Sequence, residues 1–394
     1  MSSAVVAVWT DDYVAYDFGP QHPLKPIRVK LTVELARACG LFDRPNVTLL
    51  PPREATRAEL EAFHRPEYLD AVERISHDVH GAFDDYGWGI GTTPAGNTDC
   101  PAFTGMHESS VLVCGGGLVA AEEVWRGRAE HSWYPAGGLH HAMADRASGF
   151  CIYNDPAVAI AWLLGNGAGR VAYVDVDVHH GDGVQAAFYD DPRVMTISLH
   201  ESGAFLFPGT GFADEVGRGD AEGTSVNVAL PPYTTDAAYR AAFDAIVPPL
   251  VESFKPDVLF TQLGCDTHAT DPLAHFALTT RTYRWLAQSF HELAHDYASG
   301  RWVATGGGGY QIADVVPRAW TLYFAEQAEA ELPDQTPPEW LEVAREHGAT
   351  HLAARFRDPE VELGEHDADV RERAARAAIE TRERIFPYHG ISVG

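Results

Sequence analysis

The chain has 394 residues, with 29 Lys plus Arg against 56 Asp plus Glu, a formal net charge of −27 and 45% hydrophobic residues. That composition excludes intrinsic disorder, collagen and a coiled coil as the whole molecule, and the length fits one large domain or two. A surface this acidic repels a phosphate backbone, so direct nucleic-acid binding is not expected.

The first residues, MSSAVVAVWTDD, carry no basic region ahead of an apolar stretch, so no signal peptide is expected. Short β-branched runs at 5–9, 171–178, 194–199, 258–263 and 302–305 predict strands. Several are apolar on both faces, which suits a buried parallel sheet. Helical patterns fall between them at 27–39, 107–126, 155–164, 236–253, 280–297 and 313–329. This alternation predicts an α/β layer fold with a central, mostly parallel sheet flanked by helices. Residues 81–101, rich in Gly, Asp and aromatics, predict a functional loop. The segment LPDQTPP at 332–338 marks a composition shift, followed by charged, Ala-rich helical stretches at 339–355 and 366–385. We therefore expect a catalytic domain over 1–332 and a helical extension over 333–394 packed on it. No run of about 18 apolar residues is present, so no membrane span and a cytoplasmic protein are expected. Cys39, Cys100, Cys114, Cys151 and Cys265 are odd in number and without CxxC spacing, which argues against a disulfide scaffold or a cysteine zinc site.

Histidine carries the chemistry. Two His-His pairs, His140–His141 and His179–His180, lie beside glycines in GGLHH and DVDVHHGDG. Read as a strand, Asp175, Asp177 and His179 point to one face. Two carboxylates and an imidazole there are costly to bury without a cation. A further carboxylate, Asp266, follows the 258–263 strand, so Asp177, His179 and Asp266 predict a three-ligand site with open positions, as in catalytic zinc. The histidines of GGLHH, with aspartates to orient them, predict general acid–base work. The run GGGGY lets backbone approach closely and presents Tyr310 to the site. Neither GxGxxG nor GxxxxGK[ST] is present, so nucleotide binding is a weak reading.

The motifs GGLHHA, ASGFCIYND, VDVDVHHGDGV, VMTISLH, FPGTG, QLGCDT and GGGGY occur in that order to about residue 325. Together they resemble the zinc-dependent histone deacetylase family, which has the arginase–deacetylase fold. YDFGPQHPLKPIRVKLT and GTTPAGNTDCPAFTGMHE resemble its bacterial acetoin-utilization branch in particular. The resemblance implies that Asp177, His179 and Asp266 hold zinc, with ferrous iron as the other metal this O,N,O set accepts. It implies that His140 and His141 are the catalytic pair, supported by Asp175 and Asp182, and that Tyr310 polarises the amide carbonyl. Gly149, Phe150, Phe207 and Leu273 would line the substrate channel, Asp99 would hold substrate at the rim, and Arg28 would line an internal channel below the metal. Potassium is implied at Asp175, Asp177, His179, Ser198 and Leu199, and at a second site of Phe188, Asp191, Val194 and Thr224. Leu206 departs from the family, some members of which have a second phenylalanine there. The implied reaction is hydrolysis of N-acetyl-lysine amides in a protein, with an acetylated acyl-CoA synthetase as partner. Small acetylated amines such as acetylpolyamines are the alternative substrate class.

Overall fold

The computed structural model describes residues 3–79, 87–91, 99–347, 349, 352–359 and 367–393. Most of the predicted 81–101 loop, and residues 348, 350, 351 and 366 of the predicted C-terminal helices, lie outside them.

The described strands are β1 (Val5–Val8), β2 (Val47–Leu50), β3 (His131–Tyr134), β4 (Val171–Asp175), β5 (Val194–Glu201), β6 (Ser225–Leu230), β7 (Val258–Gln262) and β8 (Trp302–Thr305). They form one sheet in the order β2-β1-β3-β8-β7-β4-β5-β6. Every pairing is parallel. The inner strands β1, β3, β4, β7 and β8 are buried at every residue. They are therefore covered on both faces, the usual state of a parallel sheet.

The helices are α1 (Ile27–Ala38), α2 (Arg57–Leu60), α3 (Pro66–His77), α4 (Met106–Trp125), α5 (Asp155–Gly165), α6 (Asp182–Phe188), α7 (Asp236–Phe254), α8 (Thr280–Tyr297), α9 (Val315–Gln327), α10 (Pro338–Glu346) and α11 (Asp367–Ile385). One layer runs α1, α9, α8, α7, α11 through successive contacts, and another runs α3, α4, α5, α6. Among the described residues no helix is long and apolar enough to cross a membrane. All five cysteines are free, four of them buried.

Three strands were not predicted, and the reasons are local. β2 is an edge strand with its middle residues exposed. β3 opens with His131 and Ser132, polar residues that are nevertheless fully buried. β6 alternates Ser, Val, Asn and Val and looks half-solvated, yet α11 covers it from far along the chain, with Thr381 Oγ1 donating to the Asn227 carbonyl at 2.6 Å. That cover blunts an otherwise open sheet edge. The predicted 339–355 helix stops at Glu346.

Residues beyond 332 are tied to the sheet domain at named points. Trp340 Nε1 donates to the Leu31 carbonyl on α1 at 2.8 Å. Asp358 accepts from Arg318 Nη1 at 2.8 Å, His268 Nε2 at 2.9 Å and the Thr280 N–H at 3.0 Å. Burial works against the Asp358 charge, but His268 and Arg318 outweigh it and hold its carboxyl well below the usual range. A depressed folded pKa contributes stability above the unfolded value of about 3.9, and that contribution is lost as pH falls towards the folded value. Asp358→Asn is therefore expected to cost about 1–3 kcal/mol at pH 7, because buried Arg318 loses a partner. The cost should shrink below about pH 4, where the wild-type carboxylate begins to protonate. Urea unfolding at pH 7 and at pH 3.5 measures both, and equal midpoints for the two proteins at pH 7 would contradict it.

Candidate active site

The carboxyl ends of β3, β8, β7 and β4 lie side by side in the sheet although they are distant in sequence. Open parallel sheets form sites at such ends. β4 does not continue to 178 as predicted: it ends at Asp175. The Asp175 carboxylate takes the Asp177 N–H at 3.0 Å, a local side-chain bond that replaces the ladder and turns the chain. Asp177 and His179 therefore lie on the loop that follows, rather than alternating on a strand face, and Asp182 opens α6.

This loop meets the end of β7. His179 Nδ1 is 3.1 Å from an oxygen of Asp177 and 3.1 Å from an oxygen of Asp266. One donor atom of each residue lies within 4.8 Å of the others, and all three are buried. Other groups orient the two carboxylates: Asp177 Oδ2 accepts from Gln262 Nε2 and the Gly308 N–H, each at 2.7 Å, and Asp266 Oδ1 accepts from the Val178 N–H at 2.9 Å. Burial and the neighbouring Asp177 charge push Asp266 up to about 8. Two buried carboxylates that repel in this way, bridged by an imidazole, fit a divalent cation, and the O,N,O donor set suits zinc or ferrous iron. The cradle has no room for a side chain: a Cβ at Gly308 would fall 1.9 Å from Asp266 Oδ2. Gly308→Ala is expected to weaken metal binding by about 10–100-fold, the usual effect of disturbing groups that orient metal ligands. Competition with a chelator reads this, and unchanged affinity would contradict the site.

The histidine pair approaches from β3. Asp155, at the start of α5, accepts from the Gly138 and Leu139 N–H groups at 3.0 and 2.8 Å and pins the GGLHH loop. His140 Nδ1 is 2.7 Å from Asp175 Oδ2, and His141 Nδ1 is 2.7 Å from Asp182 Oδ1. The two Nε2 atoms are 3.0 Å apart, so one proton fits between the rings. Burial opposes charge on His140, but Asp175 and Asp177 prevail and raise it to about 9. Burial and the His140 charge lower His141.

The mouth is built around the pair. Gly149 has φ +55° and packs against His141; a Cβ there would lie 2.2 Å from the ring. The Gly149 N–H donates to Asp99 Oδ2 at 2.5 Å. Phe150 stands edge-on to Tyr310 at 5.7 Å, and the exposed Phe207 stands edge-on to His141 at 5.1 Å. Asp271 takes the Tyr310 N–H at 2.8 Å and the Leu273 N–H at 3.0 Å, so one carboxylate fixes both residues. Burial and the Asp266 charge drive the Tyr310 hydroxyl well above its usual pKa, so it stays a donor. Tyr310, His140, His141, Asp177 and His179 line one narrow pocket. Leu24, Arg28 and Leu139 line both this pocket and an inner one.

The histone deacetylase domain family matches residues 22–327. The chain belongs to that family, in its acetoin-utilization branch. It is 40% identical over 354 residues to the acetoin utilization protein AcuC of Bacillus subtilis (strain 168), covering 90% of each chain. It is 37% identical over 358 residues to the AcuC of Staphylococcus aureus (strain COL), covering 91% of this chain and 90% of that one. A crystal structure of an HDAC homolog complexed with SAHA superposes with a TM-score of 0.79 at 31% identity, covering 95% of this chain and 100% of that one. The architecture is thus the arginase–deacetylase fold, and the chain is a hydrolase of the deacetylase class.

Several groups that shape this deacetylase site were not singled out in the sequence. Asp155 pins the histidine loop, Asp271 anchors Tyr310, and Gln262 donates to Asp177. Tyr173 donates its hydroxyl to Asp175 Oδ2 at 2.6 Å. The signal for Asp155 was its place in ASGFCIYND; Gln262 and Tyr173 read only as strand residues.

The residues implied for potassium fall into two groups. Asp175 on β4 is register neighbour to Ser198 on β5, with Leu199 next and the 177–179 loop beside them, all buried. Phe188, Asp191 and Val194 share a turn in which the Asp191 N–H reaches the Phe188 carbonyl and the Val194 N–H reaches the Asp191 carbonyl. The Asp191 carboxylate is taken by Arg193 at 2.6 Å, so only backbone oxygens are left there. Thr224 joins through its carbonyl, which accepts from Thr196 on β5.

Proposed function

We propose that the protein hydrolyses N-acetyl-lysine amides in proteins, releasing acetate. The observation that carries this reading is the buried meeting of two His–Asp pairs with the Asp177–His179–Asp266 cluster beside Tyr310. In that reading Asp177, His179 and Asp266 hold zinc or ferrous iron, which when bound supplies Lewis acidity to the acetyl carbonyl and acidifies water.

The protein's own groups do the rest. Phe150, Phe207 and Gly149 flank a narrow entry that suits the neutral methylene stem of acetyl-lysine, with Leu273 near its rim. Asp99 uses one oxygen on Gly149 and has the other for the substrate backbone. His141, the ring that faces Phe207, accepts a proton from the attacking water and passes it to the departing lysine amine. His140 keeps its proton and supplies positive charge. Tyr310 donates its hydroxyl to the oxygen that gains charge. Two anionic ligands formally cancel a divalent charge, so that donor is needed. Arg28, between the two pockets, supplies a cation facing the inner one, where acetate can be received. Potassium at the two groups of residues above would brace the Asp175–His179 loop and the turn after α6.

An acetylated acyl-CoA synthetase is the protein substrate proposed, following the acetoin-utilization relatives. The test is initial rates on an acetyl-lysine peptide beside acetylspermidine, at equal concentration and with metal present. Faster turnover of the peptide is expected. Turnover of the polyamine alone would keep the chemistry and overturn the substrate class.

A further inference from the structure

A second cluster of histidines lies at the opposite end of the sheet. His131 is the first residue of β3, so it stands at the amino edge, whereas the catalytic loops leave the carboxyl ends. α8 presents His291 and His295 one turn apart, on one helix face. Ring centroids are 4.9 Å apart for His131 and His291, 5.2 Å for His131 and His295, and 4.7 Å for His291 and His295. One nitrogen of each residue lies within 4.8 Å of the others.

His131 supplies an independent observation. It is 0% exposed, its ring nitrogens make no hydrogen bond of normal geometry, and the Glu130 and Gly300 backbone lies close enough to favour its charged form. Buried polar groups are nearly always well paired, so an imidazole without a well-formed hydrogen bond, facing two other imidazoles, has ligand capacity to spare. Burial and the two neighbouring rings outweigh the Glu130 and Gly300 backbone and push His131 down to about 3, which leaves it neutral at physiological pH. The outer histidines are held from behind, as metal-bound histidines commonly are. His291 Nδ1 is 3.4 Å from Glu326 Oε1, and His295 Nε2 is 3.4 Å from Ser3 Oγ.

We propose that His131, His291 and His295 form a second metal site, which takes one divalent ion of the zinc, nickel or copper class. Three imidazole ligands favour those ions over calcium or magnesium. Residues 291–295 read HELAH, the HExxH helical spacing that places two histidines on one ion. The third ligand arrives from a strand. The ion would pin α8 to β3 and, through Ser3, to the first residues of the chain.

The test counts ions. The full-length protein is stripped with a chelator and dialysed against Zn²⁺ in a weakly competing buffer that removes loosely held surface ions, and bound zinc per chain is then measured. Wild type should retain two ions, and His291→Ala/His295→Ala should retain one while cleaving acetyl-lysine peptide at the wild-type rate. Both substituted residues lie outside the fully buried core, so the variant is expected to fold; circular dichroism checks this. Asp177→Asn should lose the other ion and keep this one, so failure of the two sites can be told apart. As a second readout, Co²⁺ loaded into Asp177→Asn should give visible absorption that disappears when the two alanines are added. One ion in wild type, or two in the double alanine variant, would overturn the proposal.

Discussion

Tyr310→Phe is expected to lower kcat by about 10²–10³-fold, the usual cost of removing one donor to a developing oxyanion. KM should change little, because the hydroxyl acts on charge that develops only as the carbonyl is attacked. The loss should be confined to chemistry. The backbone of Tyr310 is anchored by Asp271, and its ring still packs on Phe150 and under Arg28 when the oxygen is removed. Steady-state kinetics on an acetyl-lysine peptide, with metal content measured on the same samples, separates this from metal loss. Turnover within a few-fold of wild type would remove Tyr310 from the mechanism.

The second large effect belongs to the cluster itself. Asp177→Asn keeps the shape of the side chain but removes a charge from a buried site whose donors are two carboxylates and one imidazole. Metal affinity should fall by at least the roughly 10–100-fold typical of losing an orienting group, and activity should fall with it. The amide also inverts a contact: Asp177 Oδ2 accepts from both Gln262 and the Gly308 N–H, so an NH₂ in that position faces two donors. Gln262 cannot turn its amide without setting its NH₂ against the Gly264 N–H that its Oε1 now accepts, and the Gly308 N–H cannot adapt either. Equilibrium dialysis of the purified variant measures the affinity. Stoichiometric retention at the wild-type affinity would contradict the ligand assignment.

What the sequence displays and what it hides follow from how local each signal is. β1, β7 and β8 are mainly apolar on both faces, and β5 alternates Met195, Ile197 and Leu199 with polar residues, so these strands could be read directly. β3 and β6 could not, since His131, Ser132 and Asn227 are polar residues buried by helices distant in the chain. The alternation in DVDVH looked like a strand because its period is two, yet the Asp175 side chain captures the Asp177 N–H and ends the ladder. The histidine pair, the acidic loop and GGGGY could be found because their residue types are costly without a function. Gln262 and Asp271 act by hydrogen bonds to loops from other strands, and such partners leave no spacing to detect; Asp155 acts in the same way, and only its place in ASGFCIYND marks it. HELAH was hidden for the opposite reason: within an amphipathic helix it passes for ordinary polar positions, and only the fold brings His131 to it.

The central claim is that turnover depends on an ion held by Asp177, His179 and Asp266. The most direct measurement is hydrolysis of an acetyl-lysine peptide by chelator-stripped protein as Zn²⁺ or Fe²⁺ is returned, with Asp266→Asn treated in parallel. Stripped wild type should be inactive and should recover with added metal, while Asp266→Asn should stay inactive at the same metal concentrations. Full activity in the stripped protein, or recovery in Asp266→Asn equal to that of wild type, would contradict the account.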